Sequence, residues 1–168
     1  MTASVEPPDA PSLFDAETSA YRGEVFAHLL EREVRRAMRY QEFPVVLAVA
    51  LGDPHTTRIA PPLLRVAAEQ VQGEVRTTDL VGRLGDGLGV ALVSVTEEDA
   101  RLVARRLLAR VEGLTRFEAL PQMGRAAVRI GGACFPRGGS DAQGLLQASL
   151  AALQRAADTP GGAVWIGG

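Results

Sequence analysis

Residues 76–93 have the sequence RTTDLVGRLGDGLGVALV, and this stretch decides the fold. Its two apolar segments, Leu80–Leu84 and Leu88–Val93, are typical of short β-strands. Between them, Asp86-Gly87 is a strong hairpin signal, because a type I′ turn needs positive φ at both central positions. We therefore expect a β-hairpin in the middle of the fold, directly preceded by an Arg-x-x-Asp tetrad, Arg76 to Asp79.

Helical and strand patterns alternate on both sides of this hairpin. Apolar residues recur every three or four positions from Tyr21 to Tyr40, which predicts an amphipathic helix. Phe43–Leu51 is almost continuously apolar and predicts a strand buried on both faces. Further helices are expected at Leu63–Val75, at Ala100–Val111 and from Ser140 or Asp141 to about Ala157, and further strands at Ala126–Phe135 and Ala163–Ile166. This order predicts a mixed α/β class with one central sheet.

Length and composition favour a single domain. The chain has 168 residues and 46% hydrophobic residues, enough for one sizeable core. We expect a flexible, Pro-rich leader over residues 1–14 and one domain over residues 15–168. The formal net charge of −2 gives no overall attraction to nucleic acid or to acidic membranes. All 18 basic side chains are arginines, so a reaction that needs an amine side chain is excluded.

The cysteine count and the apolar runs bear on where the protein works. Cys134 is the single cysteine and has no internal disulfide partner, which fits a reducing compartment. No apolar run approaches the roughly 20 residues of a membrane span, and the leader has no basic residue before Ser12. The prediction is a cytoplasmic protein that binds neither nucleic acid nor membrane.

Several fragments match, in order, the motifs of one enzyme family. Residues 15–21 are DAETSAY and are similar to D-x-L-T-G-L-Y, and residues 79–85 are DLVGRLG and are similar to D-x-x-x-R-[YL]-G. Residues 128–133 are VRIGGA and are similar to V-S-I-G-V-A. On these motifs the chain resembles the GGDEF domain, the family of diguanylate cyclases that make cyclic di-GMP from two GTP molecules. The resemblance implies an α+β fold, with a central, mostly antiparallel five-stranded sheet flanked by helices.

The signature of that family is not retained in this chain. Its five positions are occupied by GDGLG, residues 85–89, so that the metal-binding acid falls on Gly87 and the next glutamate on Leu88. The second metal-binding aspartate falls on Leu51, and Asp53 alone stands in the next acidic position. Mg²⁺ needs hard oxygen ligands, which leucine and glycine side chains do not supply. The loop after Asp53 is shorter than the family's guanine-recognition loop, and Ala157 replaces a phosphate-contacting lysine. We therefore predict a degenerate domain that is not an enzyme, with no catalytic residues, no bound metal and no cofactor.

The resemblance also implies a binding site away from the signature. In the family, an R-x-x-D before the signature forms an inhibitory site for cyclic di-GMP, and Arg76 and Asp79 have that spacing. A second arginine on the helix after the hairpin completes the site, and Arg106 occupies that place with Arg105 as its neighbour. The alternative is that Arg76 and Asp79 are an ordinary solvated pair at a helix end.

Two functional hypotheses follow. In the first, the chain is a cyclic di-GMP receptor or effector that uses Arg76, Asp79, Arg106 and Arg105 as binding residues, with a protein partner or a homodimer as its output. In the second, it is a pseudoenzyme scaffold that supports protein–protein interaction in bacterial signalling without a nucleotide.

Overall fold

The structure is a computed structural model that describes residues 12–52, 61–117, 127–159 and 163–166. Most of the predicted leader, as well as Asp53 and the shortened loop after it, lies outside these ranges. In chain order the elements are α1 (Gly23–Tyr40), β1 (Val45–Gly52), α2 (Pro61–Glu74), β2 (Leu80–Leu84), β3 (Gly87–Leu92), α3 (Glu97–Phe117), β4 (Ala127–Cys134), α4 (Ala142–Arg155) and β5 (Ala163–Ile166). A single 3₁₀ turn, Ala156–Asp158, follows α4.

The strands form one mixed sheet in the order β2-β3-β1-β4-β5. β1 lies at its centre and pairs antiparallel with both β3 and β4, and β2 pairs antiparallel with β3. Among the described strands, β5 alone runs parallel to its neighbour, β4. The mostly antiparallel sheet and its flanking helices confirm the predicted α+β fold class.

Helices cover both faces of this sheet. On one face Leu47 and Val49 of β1 join a core that includes Leu64 of α2 and Leu107 of α3. On the other face Val46 packs in a cluster that contains residues of α1 and α4, among them Phe26, Leu30 and Leu145. Seven of the eight residues of β1 are buried, as expected for a central strand with both faces covered.

The N-terminal segment continues the sheet beyond its β2 edge. The backbone N–H of Tyr21 donates to the carbonyl of Val81 at 2.9 Å, and the Tyr21 carbonyl accepts from the N–H of Arg83 at 2.9 Å. Tyr21 is therefore extended, and α1 begins at Gly23 rather than at the predicted Tyr21. α1 ends at Tyr40, and the next residue, Gln41, caps the helix with a φ of 58°, in the left-handed region.

The hairpin forms where it was predicted, but the predicted turn is wrong in position and type. Leu84 pairs with Gly87, so that the two loop residues are Gly85 and Asp86 instead of Asp86 and Gly87. Only Gly85 has a positive φ, +57°, as in a type II′ turn, whereas a type I′ turn needs two such residues. Gly87 belongs to β3, where a Cβ atom would lie 2.4 Å from the carbonyl oxygen of Val49. The glycine at position 87 therefore permits close approach to β1.

Side-chain caps define the starts of two helices. The hydroxyl of Thr96 accepts from the N–H of Asp99 at 3.0 Å and donates to the Asp99 carboxylate at 2.8 Å, so α3 begins at Glu97, earlier than predicted. Of the two predicted caps for α4, Asp141 makes the bond, accepting from the N–H of Gly144 at 2.7 Å. Among the described helices, none has both the length and the apolar composition to span a membrane.

Candidate functional site

The tip of the β2–β3 hairpin carries no metal-ligating side chain at the positions where sequence similarity places ligands. Leu88 points into the core between the sheet and helices α2 and α3, with none of its surface exposed, and Leu51 is equally buried. Gly87 has no side chain, and the backbone of Val49 occupies the space that one would need. Within the described ranges, no group of three His, Cys, Asp or Glu residues is close enough to share a metal ion.

Asp79 is fixed by the backbone at the opposite end of β2. One oxygen of its carboxylate accepts from the N–H of Arg76 at 2.9 Å, and the other accepts from the N–H of Val93 at 3.0 Å. The N–H of Asp79 donates in turn to the carbonyl of Arg76 at 3.0 Å. Two backbone hydrogen bonds use only half of the acceptor capacity of a carboxylate. Asp79 therefore closes the α2–β2 turn and still has lone pairs for a ligand.

Arg76 takes part in this turn through its backbone alone. Its side chain is exposed, and its guanidinium forms no hydrogen bond or ion pair with any described residue. The alternative, a solvated ion pair between the Arg76 guanidinium and Asp79, is not present among the described contacts; the carboxylate accepts from the Arg76 N–H instead. The guanidinium is thus free to bind an external acceptor.

Arg106 lies against the end of α2. Its Nη2 donates to the main-chain carbonyl of Glu74 at 3.2 Å, and its Nε lies 3.5 Å from Oε2 of the Glu74 carboxylate. Arg110, one helical turn further along α3, donates from Nε to the other oxygen of that carboxylate at 2.8 Å. Glu74 is only 18% exposed and stands two residues before Arg76. The fold therefore places Arg106 beside the Arg-x-x-Asp turn. The carboxylate of Glu74 partly neutralises the charge of the Arg106 guanidinium.

Arg105 is not brought into this group. It is exposed and forms no hydrogen bond or ion pair with the described residues, in contrast to Arg106, which contacts Glu74. Adjacent residues on a helix do not share a face. The structure thus separates the two arginines that the sequence places together.

A shallow depression of about 200 Å³ lies over the Arg-x-x-Asp turn. Arg76, Asp79 and Val75 line it from the turn, and Phe14 and Tyr21 line it from the N-terminal segment. The Phe14 and Tyr21 rings are stacked, with centroids 5.1 Å apart and planes inclined by 21°. Phe14 is absent from the site predicted from the sequence. Its ring reaches residues 75–79 because Phe14 pairs with Tyr21 and Tyr21 pairs with Gly82 of β2.

The family model described as "Diguanylate cyclase, GGDEF domain" matches residues 57–162, more than half of the chain. The chain belongs to the GGDEF domain family. No curated protein sequence matches it significantly.

Solved GGDEF domains share this fold at low sequence identity. The GGDEF domain of YfiN from Pseudomonas aeruginosa is 24% identical and superposes with a TM-score of 0.76 over 88% of this chain and 97% of that chain. The GGDEF domain of DgcB from Caulobacter crescentus, solved in complex with c-di-GMP, has 14% identity and a TM-score of 0.77 over 93% and 96%. The cyclase SiaD from P. aeruginosa, solved with its activator SiaC, has 19% identity and a TM-score of 0.74 over 92% and 62%.

A second groove, of about 650 Å³, opens in this GGDEF domain beside the start of α3. Its lining includes Glu97, Cys134 and Arg137, and the Arg137 guanidinium contacts the Glu97 carboxylate at 2.6 Å. A hydrogen bond from Arg101 lowers the pKa of Glu97, and burial raises the pKa of the Cys134 thiol to about 11. Cys134 is therefore a protonated, unreactive thiol at neutral pH.

Proposed function

We propose that this GGDEF domain is catalytically inactive and acts as a receptor for cyclic di-GMP, which binds over the Arg76-to-Asp79 turn. The observation that carries the proposal is the exposed Arg76 guanidinium, free of described partners, beside an Asp79 carboxylate held in place by two backbone N–H groups. Arg106 completes the proposed binding set from α3, whereas Arg105, on another face of that helix, is left out of the set. The cytoplasm is the proposed location, consistent with a single, buried, unpaired cysteine.

The chemistry of guanine suits these groups. Its O6 and N7 accept hydrogen bonds, and a planar guanidinium such as that of Arg76 donates to both. The base also donates from its Watson–Crick edge, and Asp79 retains acceptor capacity for those donors. Cyclic di-GMP carries two phosphates in addition, to which arginines bind with charge-assisted hydrogen bonds.

The loss of catalysis is proposed on the composition of the hairpin. A diguanylate cyclase needs acidic metal ligands, and this chain has Gly87 and Leu88 in those positions, with Leu88 fully buried. A one-residue shift that brought Asp86 into place would turn Leu88 and Val90 out of the core. We expect no cyclic di-GMP formation from GTP and Mg²⁺. A turnover above that of a protein-free blank would contradict this part of the proposal.

Calorimetric titration with cyclic di-GMP tests the receptor function. We expect saturable binding by the wild type and at least tenfold weaker binding by Arg76→Ala, because one charge-assisted hydrogen bond contributes about 1.5–3 kcal/mol. Arg65→Ala is the matched control, since Arg65 is also an exposed arginine and lies on α2, where it pairs with Glu69 at 3.6 Å. The proposal fails if the wild type releases no heat, or if the Arg76 variant binds as tightly as the Arg65 variant.

The second candidate function is a scaffold for protein–protein interaction that needs no nucleotide. It is favoured by exposed apolar side chains around the end of α1, where Met38, Tyr40 and Phe43 are 59%, 61% and 40% exposed. The complex of SiaD with its activator SiaC supports a protein partner for such a domain.

Thermal unfolding with and without cyclic di-GMP distinguishes the two candidate functions. The free energy of unfolding of a receptor rises by about 2.7 kcal/mol at a cyclic di-GMP concentration of 100 times Kd, which raises its unfolding temperature. A scaffold of this kind unfolds at the same temperature with and without cyclic di-GMP.

A further inference from the structure

Two aromatic rings form one wall of the depression over the Arg76-to-Asp79 turn. Phe14 and Tyr21 are stacked with centroids 5.1 Å apart, and both line the depression together with Arg76 and Asp79. Their position is fixed by the backbone, because Phe14 pairs with Tyr21 and Tyr21 pairs with Gly82 of β2. The polar and the aromatic groups are therefore carried by neighbouring backbone segments at one sheet edge.

Phe14 keeps a large exposed surface although it packs against another ring. The side chain is 49% exposed although it stacks on Tyr21, so much of the ring stays open to a ligand. The turn that precedes Tyr21 is rigid, since Oδ2 of Asp15 accepts from both the N–H and the hydroxyl of Thr18, at 2.9 and 2.8 Å. An exposed aromatic pair on a fixed support is the kind of surface on which nucleic-acid bases stack.

We infer that one guanine of the bound dinucleotide stacks on the Phe14–Tyr21 pair while its edge is hydrogen-bonded by Arg76 and Asp79. This inference rests on the proposed receptor function and adds to it a base platform supplied by the N-terminal segment. The depression, at about 200 Å³, is smaller than the roughly 300–1,000 Å³ of pockets that enclose a drug-sized ligand. It therefore receives a single base, and the phosphates and the second base lie outside it.

Phe14 thus has two roles, packing against Tyr21 and stacking on the bound base. Stacking depends on the π-face of the ring, so a substitution that keeps an apolar side chain but removes the ring separates the two roles. Phe14→Leu makes this change, and Phe14→Trp keeps an aromatic face. Phe43→Leu is the matched control, because Phe43 is 40% exposed and also contacts another ring, that of Phe135 at 5.7 Å, but lines the groove beside α3 instead.

Calorimetric titration of these variants of the 168-residue chain with cyclic di-GMP tests the inference. We expect Phe14→Leu to raise Kd on the order of tenfold, Phe14→Trp to bind within about threefold of the wild type, and Phe43→Leu to leave Kd unchanged. A second experiment, by nuclear magnetic resonance, uses the wild type alone, so its result does not depend on whether a variant folds. The aromatic proton resonances of Phe14 and Tyr21 are expected to shift upfield when cyclic di-GMP is added, because a stacked base shields them.

The outcomes distinguish the aromatic platform from the receptor function. Binding by the wild type with an unchanged Kd for Phe14→Leu, or with unmoved Phe14 and Tyr21 resonances, overturns the aromatic platform and leaves the receptor function standing. Absence of binding by the wild type overturns the receptor function, and the platform with it. Weaker binding by Phe14→Leu, retained binding by Phe14→Trp and upfield shifts in the wild type together support the platform.

Discussion

At the scale of single residues, Glu74 decides how much positive charge the candidate site offers. One carboxylate, 18% exposed, pairs with both Arg106 and Arg110, and the adjacent main-chain carbonyl accepts from Arg106 as well. The resemblance to the GGDEF family implies the arginine on α3, but it does not imply this acidic neighbour, which lies on another helix 32 residues earlier in the chain. Of the two described arginines at the site, Arg76 and Arg106, Arg76 is therefore the one without an acidic partner.

Replacing Glu74 by glutamine is expected to strengthen binding of cyclic di-GMP. The change removes the negative charge that holds Arg106 and Arg110, so both guanidinium groups become available to the phosphates of the ligand. A partly exposed ion pair contributes on the order of 1 kcal/mol or less, which corresponds to a few-fold decrease in Kd by calorimetry. Glu69→Gln is the control, because Glu69 is exposed on the same helix and pairs with Arg65. Equal or weaker binding by Glu74→Gln would show that Arg106 does not contact the ligand.

Cys134 is expected to react slowly with alkylating agents. Burial raises the pKa of its thiol to about 11, so that about one molecule in a thousand carries a thiolate at pH 8. The folded protein should thus react with iodoacetamide at least a hundredfold more slowly than the same protein unfolded in guanidinium chloride. Because thiolate is the reactive form, the rate should rise steadily with pH up to about 11. A folded-state rate that reaches a plateau near pH 8 would contradict the raised pKa.

At the scale of elements, the hairpin shows what local sequence determines and what it does not. The bounds of β2, Leu80–Leu84, and the presence of a two-residue turn follow from the apolar segments and the glycines between them. The type of turn does not follow, because Gly85-Asp86 and Asp86-Gly87 are both acceptable loops and the close approach of Gly87 to Val49 selects the first. The sequence does not predict Phe14 for a similar reason, since its place in the depression with Arg76 depends on its pairing with Tyr21, which in turn pairs with β2.

Two Gly→Ala substitutions, one on β2 and one on α2, are expected to change the stability of the fold in opposite directions. A Cβ atom on Gly82 of β2 would lie within 2.8 Å of three atoms of the buried Phe26 side chain, so Gly82→Ala forces this ring to move. Overpacking of this kind costs about 1–3 kcal/mol. Gly73 lies inside α2, where a Cβ atom would meet nothing within 4 Å, and Gly73→Ala is expected to raise stability by up to about 1 kcal/mol.

Urea unfolding followed by circular dichroism measures both effects against the wild type. The midpoint should fall for Gly82→Ala and rise for Gly73→Ala, with similar m-values. A Gly82→Ala protein as stable as the wild type would mean that α1 does not pack on β2 through Phe26.

At the scale of the whole molecule, the candidate site and the former signature lie at opposite ends of the same strand. Asp79 directly precedes β2 and Gly85 directly follows it, and a strand of five residues spans roughly 17 Å. The hairpin end contributes Gly87 and the buried Leu88, whereas the other end contributes Arg76, Asp79 and the aromatic pair. The fold of a GGDEF domain thus places the proposed binding end of β2 away from the signature positions.

Because the two ends are separate, the end of β2 that binds cyclic di-GMP can be identified by a direct measurement. Backbone amide resonances, followed by ¹⁵N-correlated nuclear magnetic resonance during titration with cyclic di-GMP, report which end of β2 meets the ligand. If cyclic di-GMP binds over the Arg76-to-Asp79 turn, we expect saturable shifts at Arg76, Thr77 and Asp79, with the resonances of residues 85–89 at the hairpin unmoved. Shifts confined to residues 85–89, or no shift in any residue at saturating cyclic di-GMP, would contradict it.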